Sequence, residues 1–159
     1  MNTRTKISNL SRLSSKTMVD ARVESLKIPA EINRLGHALE FIRECSRAHG
    51  FSKDLTIRIE VVLEEVFVNI CLYAYGPERG EFNINCNSGT SHDGMRIEIV
   101  DHGKPFNPLE DALPADRTLD ISKRHIGGLG ILMVRQMTDE VSYLRSTDGN
   151  HLTLTFYNN

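Results

Sequence analysis

Three short constellations in this chain could do chemistry. Glu65 and Asn69 lie four residues apart in LTIRIEVVLEEVFVNICLYAY, Leu55 to Tyr75. If that stretch is helical, the two side chains stack one turn apart on one face. An amide oxygen beside a carboxylate can then hold a cation and accept a proton, whereas on a fully solvated face the same pair has no task. The adjacent Glu64 points about 140° away from Asn69 around such a helix, so Glu65 is the candidate acid/base group. Asp101-x-Gly103 follows a strand pattern. A buried carboxylate there can accept a hydrogen bond from an exocyclic amine such as N6 of adenine, with Gly103 letting a flat base lie against the backbone. The same tripeptide also makes an ordinary turn. Gly127-Gly128-Leu129-Gly130 precedes an apolar run. At a helix start the first N–H groups are unpaired, the dipole is positive, and glycines let phosphate oxygens approach. Tight packing or a hinge would use the same glycines. Neither the GxxxxGK[ST] of a P-loop nor the GxGxxG of a dinucleotide-binding turn is present.

These residues need a scaffold, and the hydrophobic pattern supplies one. Ile59, Val62, Leu63, Val66, Ile70 and Ala74 recur three or four apart, which predicts one long helix from Leu55 to Tyr75 with an apolar stripe. An imperfect alternation over Ala21–Ile28 predicts a first strand. Pro29 ends it, and a helix follows over Glu31–His49 on Ile32, Leu35, Leu39, Ile42 and Cys45. Gly50 is placed to close that helix, and Ser52 or Asp54 to cap the next. Phe82, Ile84 and Cys86, then Met95, Ile97 and Ile99, alternate as an antiparallel hairpin that runs into Asp101. Residues 107–125, with two prolines and little periodicity, read as a lid. His125-Ile126-Gly127-Gly128-Leu129-Gly130 opens an apolar helix through Ile131, Leu132, Val134 and Met137, and Glu140–Arg145 and His151–Tyr157 form a last hairpin about the turn Thr147-Asp148-Gly149-Asn150. Hairpins with helices grouped between them define an α+β fold, a two-layer sandwich whose mostly antiparallel sheet is covered on one face by helices.

Composition narrows the function. The chain has 159 residues, enough for one domain with a sizeable core, here residues 21–159, and a net charge of −2. That charge gives no footprint for nucleic acid or membrane. No apolar run approaches the roughly 20 residues of a membrane span, and none of the leading residues forms an apolar signal block, so a cytoplasmic location is expected. Residues 1–20 are rich in Ser and Thr and read as a flexible extension. Cys45, Cys71 and Cys86 lack CxxC spacing and the six histidines lack ligand spacing, so neither a disulfide framework nor a zinc site is expected.

Taken together, Glu-x-x-x-Asn on a long helix, Asp-x-Gly-x-Pro-Phe after a hairpin, and Gly-Gly-Leu-Gly before an apolar helix resemble the N, G1 and G2 boxes of the Bergerat-fold (GHKL) ATPases, the superfamily of gyrase, histidine kinases and MutL. Within it the chain is most similar to the stand-alone anti-sigma-factor serine/threonine kinases of bacterial partner-switching systems, over roughly residues 21–157. The resemblance implies ATP and Mg²⁺ as cofactors. Asn69 would hold the metal and Glu65 would be the general base. Asp101 and Gly103 would bind adenine, while Gly128, Leu129 and Gly130 would cradle the phosphates. Lys123 or Arg124 could reach the γ-phosphate or simply be exposed lid charges. The implied partners are an anti-sigma-factor antagonist as substrate, a sigma factor, and a second copy in a homodimer whose interface lies near the first strand and helix.

Two positions depart from the family pattern. Tyr73 stands where many relatives carry His, and Gly149-Asn150 where the loop often reads Gly-Thr. The resemblance also admits a nucleotide-regulated binding module without kinase activity. A detached histidine-kinase domain fits less well, because no hairpin with a phosphoacceptor His precedes, and His37 and His49 read as surface or cap residues.

Overall fold

The sheet is built from hairpins because its strands bury alternate residues. In the computed structural model, residues 23–88, 94–107, 109 and 128–158 are described. The expected N-terminal extension lies outside them, as does the lid with Lys123 and Arg124, apart from residues 107 and 109. Strands β1 (Val23–Pro29), β2 (Glu81–Ser88), β3 (Gly94–Asp101), β4 (Glu140–Ser146) and β5 (Gly149–Tyr157) pair in the order β1-β2-β3-β5-β4. Every neighbour is antiparallel. Register puts Phe82 opposite Asp101 and Ile84 opposite Ile99, then Ile99 opposite Leu152 and Ile97 opposite Leu154. Directly opposed residues share a face, and these are buried. The alternate row, with Asn83, Asn85, Arg96, Glu98, Thr153 and Thr155, is polar. One face therefore meets the helices and the other does not, as the α+β expectation has it.

Helices α1 (Leu35–Ala48), α2 (Lys53–Asn69) and α3 (Gly128–Met137) supply the other half of the core. All six residues of the apolar stripe expected on α2 and its continuation are buried, and Phe67 joins them edge-on to Phe82 with ring centroids 5.1 Å apart. The helix starts as expected: Ser52 is extended and its hydroxyl accepts the Leu55 N–H. Gly50, at φ +70, closes α1 with Phe51 N–H bonded to the Ser46 carbonyl and Gly50 N–H to that of Arg47, a Schellman arrangement. His49 Nδ1 donates to the Cys45 carbonyl and His37 is exposed, so both are cap or surface residues. The three thiols are free.

Three expectations are corrected. The first helix does not begin at Glu31: Ile32–Arg34 form a 3₁₀ turn, whose three residues per turn take Ile32 out of phase with the stripe, and it is exposed. The long helix does not stay α-helical to Tyr75. It ends at Asn69, and Ile70–Ala74 continue as a π-helical turn. The wider turn keeps Ile70 and Ala74 buried and leaves Leu72 and Tyr73 exposed. The Ala74 carbonyl accepts the Lys104 N–H at 2.8 Å, so this helix end is tied to the loop after β3. The last hairpin is also tighter than expected, because Gly149 and Asn150 belong to β5 and Ser146 pairs with Gly149 across two residues.

Candidate functional site

The segments singled out in the sequence converge on one cleft. Its walls are Val66, Asn69, Ile70, Tyr73 and Ala74 from the end of α2 and its π turn, Asp101, Lys104 and Phe106 from the end of β3, Ile131 and Val134 from α3, and Tyr143, Asn150 and Leu152 from the last hairpin. The open space, solvent at its mouth included, is about 560 Å³. Most of the lining is apolar, with a few polar groups aimed inward, as a flat heteroaromatic ligand requires.

Glu65 and Asn69 are both half-buried on α2, one turn apart, while Glu64 is exposed. Glu65 reaches α3 directly: a Cβ at Gly130 would overlap its Oε2. The glycine is needed for the carboxylate to lie against the start of the helix. Gly128 is the first residue of α3, so Gly130 lies in the first turn, whose N–H groups have no partner within the helix.

Asp101 is 7% exposed. Its Oδ1 accepts the Gly103 N–H at 2.9 Å and Asn150 Nδ2 at 2.8 Å. Oδ2 is left without a protein donor among the described residues. Gly103 itself does not line the cleft. The space its side chain would fill is taken by the Ala74 backbone, so the glycine brings the loop against the π turn. Gly149 acts in the same way beneath Asp101, whose carbonyl a Cβ there would strike. Tyr75 adds a further pin, its hydroxyl accepting the His102 N–H and donating to the Glu81 carbonyl. Burial pushes this phenol upward, and the carboxylates of Asp101 and Glu81 add to the rise although the His102 N–H opposes it.

Sequence reasoning missed Lys104, Phe106, Tyr143 and Asn150 as lining residues. Lys104 and Phe106 stand inside the Asp101–Pro108 motif and were legible there. Asn150 was visible only as a departure from the family's Gly-Thr. Nothing local marks Tyr143, whose position depends on strand β4 lying beside β5. No group of three or more His, Cys, Asp or Glu side chains among the described residues could hold a metal.

A five-stranded antiparallel sheet, among the described residues, with three helices and a cleft at the end of β3 and α2 defines an α+β domain. Residues 28–156 match the histidine kinase-like ATPase domain family, and the chain belongs to it. Among curated proteins it is 27% identical over 120 residues to the serine-protein kinase RsbW of Oceanobacillus iheyensis, covering 73% of this chain and 75% of that one. It is 23% identical over 138 residues to the serine/threonine-protein kinase BtrW of Bordetella bronchiseptica, covering 86% and 95%. In fold it is similar to the crystal structure of the RsbU and RsbW domains of Rv1364c from Mycobacterium tuberculosis, with a TM-score of 0.60, 15% identity and 86% of this chain covered. This chain spans 32% of that longer one. No helix among the described residues is long and apolar enough to cross a membrane.

Proposed function

We propose that the cleft binds Mg-ATP, that the γ-phosphate passes to a serine or threonine of an anti-sigma-factor antagonist, and that the chain also sequesters a sigma factor, working as a homodimer. In class the chain is a protein serine/threonine kinase of the GHKL superfamily, the partner-switching kind. The observation that carries the proposal is the Glu65 carboxylate lying against Gly130, with Asn69 one turn further along the same helix. A carboxylate and an amide one turn apart beside a glycine-opened helix support reading them as proton acceptor, cation ligand and phosphate cradle.

The residues present fit the ligand. Asn69 lines the cleft and is half-buried, so its amide oxygen can meet a cation. A single protein ligand accords with Mg²⁺, which keeps several waters and is held largely through substrate phosphates. When bound, the metal neutralises charge on the phosphate oxygens. The rest falls to the chain. Phosphoryl transfer depends mainly on positioning and charge. The glycine-opened α3 receives the phosphates on its N–H groups, and Asp101, its Oδ1 held by the Gly103 N–H, fixes the adenine end. Glu65 accepts the proton of the attacking hydroxyl.

Calorimetry of ATP and ADP with and without Mg²⁺, on wild type and Asn69→Ala, tests the site: Mg-dependent binding that the substitution abolishes is the expected result. Glu65→Ala then separates enzyme from switch. Loss of phosphate transfer to the antagonist with nucleotide binding intact supports the kinase, while full regulation of the sigma factor without this carboxylate would replace it with a nucleotide-regulated binding module.

A further inference from the structure

Asn150 is the most connected polar residue of the cleft. It is 4% exposed and lies directly opposite Asp101 on β3 and Arg145 on β4. Its Nδ2 donates to Asp101 Oδ1 at 2.8 Å and to the Lys104 carbonyl at 2.9 Å. Its Oδ1 accepts the Tyr143 hydroxyl at 2.7 Å and Arg145 Nη1 at 3.1 Å. The amide has two donor hydrogens and two acceptor lone pairs, and each has a partner. Its orientation is fixed by chemistry: Arg145 can only donate, so it must face the oxygen, and the Lys104 carbonyl can only accept, so it must face the NH₂ group. A flipped amide would oppose like to like on both sides.

This locked amide determines how Asp101 presents itself. Oδ1 is held by the Gly103 N–H and by Asn150. Rotation of the carboxylate would break both bonds inside a buried site, where an unmade hydrogen bond is costly. Oδ2 is therefore the oxygen left for a ligand. Arg145 also donates to the Gly103 carbonyl at 3.0 Å, so the same network holds the backbone of the Asp-x-Gly loop.

We propose that Asn150 is the positioning residue for base recognition: it holds Asp101 so that Oδ2 accepts a hydrogen bond from an exocyclic amine, and the site thereby selects a 6-aminopurine nucleotide. Tyr143 and Arg145 hold Asn150 in turn. The proposal rests on the cleft being the nucleotide site. A site built to pair with a donor rejects the analogue lacking it, because its own buried acceptor is then left unmatched.

The test compares the binding of ATP with that of purine riboside triphosphate, which carries hydrogen in place of the amine. Wild type should prefer ATP by at least about tenfold. In Asn150→Ala the preference should fall below about threefold. A merely structural role for Asn150 would weaken both nucleotides alike and leave the ratio unchanged, which overturns the proposal. Tyr143→Phe removes one bond holding the amide and should lower the ratio at least about twofold. If Asn150→Ala does not fold, this variant decides: an unchanged ratio overturns the proposal and a lowered one supports it. Absence of ATP binding in the wild type overturns the nucleotide reading together with this one. ATP binding without preference for the amine overturns this one alone.

Discussion

Gly130 and Gly103 make opposite uses of a missing side chain. At Gly130 the space belongs to the tip of a flexible Glu65, while at Gly103 it belongs to the Ala74 backbone. Gly130→Ala should therefore fold and mainly displace the carboxylate. Phosphate transfer should drop by about 10²-fold or more, within the range for a misplaced general base, while nucleotide affinity changes far less. Single-turnover transfer beside calorimetry on the same protein would check this, and equal losses in both would show that the glycine serves the phosphates alone. At Gly103 backbone cannot yield, so Gly103→Ala should lower stability by about 1–3 kcal/mol. Urea unfolding is the measurement.

At the scale of elements, the caps set where the site residues fall. Ser52 fixes the start of α2 and hence the phase of Glu65 and Asn69. Ser52→Ala should cost about 1 kcal/mol, readable by denaturant unfolding. Most of this was legible. Ser52, Gly50, the buried stripe and the alternation in β2, β3 and β5 are local signals, each depending on neighbours a few residues away. What escaped the sequence was tertiary. The π turn after Asn69 ends on the Ala74 carbonyl, which meets Lys104, 30 positions along the chain. The place of Ile32 outside the stripe follows from the 3₁₀ entry after Pro29. Tyr143 and Asn150 enter the cleft only because β4 and β5 pair in a register set by a two-residue turn.

At the scale of the whole molecule, the polar face of the sheet carries its own electrostatics. His151 sits between Glu98, 3.3 Å from Nδ1, and Asp148, 3.2 Å from Nε2. Burial alone would push the imidazole down, but these two carboxylates outweigh it and hold its pKa above the ordinary 6.5. A raised folded-state value contributes stability that is fully present below the ordinary value and is lost as pH rises through the raised one. Wild type should thus lose stability between mildly acidic and mildly basic pH, and His151→Gln should flatten that slope. Thermal melts across this range at low and high salt would check it, with high salt shrinking the difference.

The π turn carries a consequence for motion as well as for shape. Asn69 closes a capped, regular helix, whereas Ile70, Tyr73 and Ala74, which form the cleft wall, lie on the wider turn beyond it. Amide protons up to residue 69 should exchange with solvent slowly, as parts of the cooperative core, and those of the following turn should exchange through local opening. A ligand filling the cleft would stabilise that turn by mass action. Mass-resolved deuterium uptake should therefore slow after residue 69 when nucleotide is added, with little change before it, so that occupancy is recorded as a boundary inside one continuous helical segment.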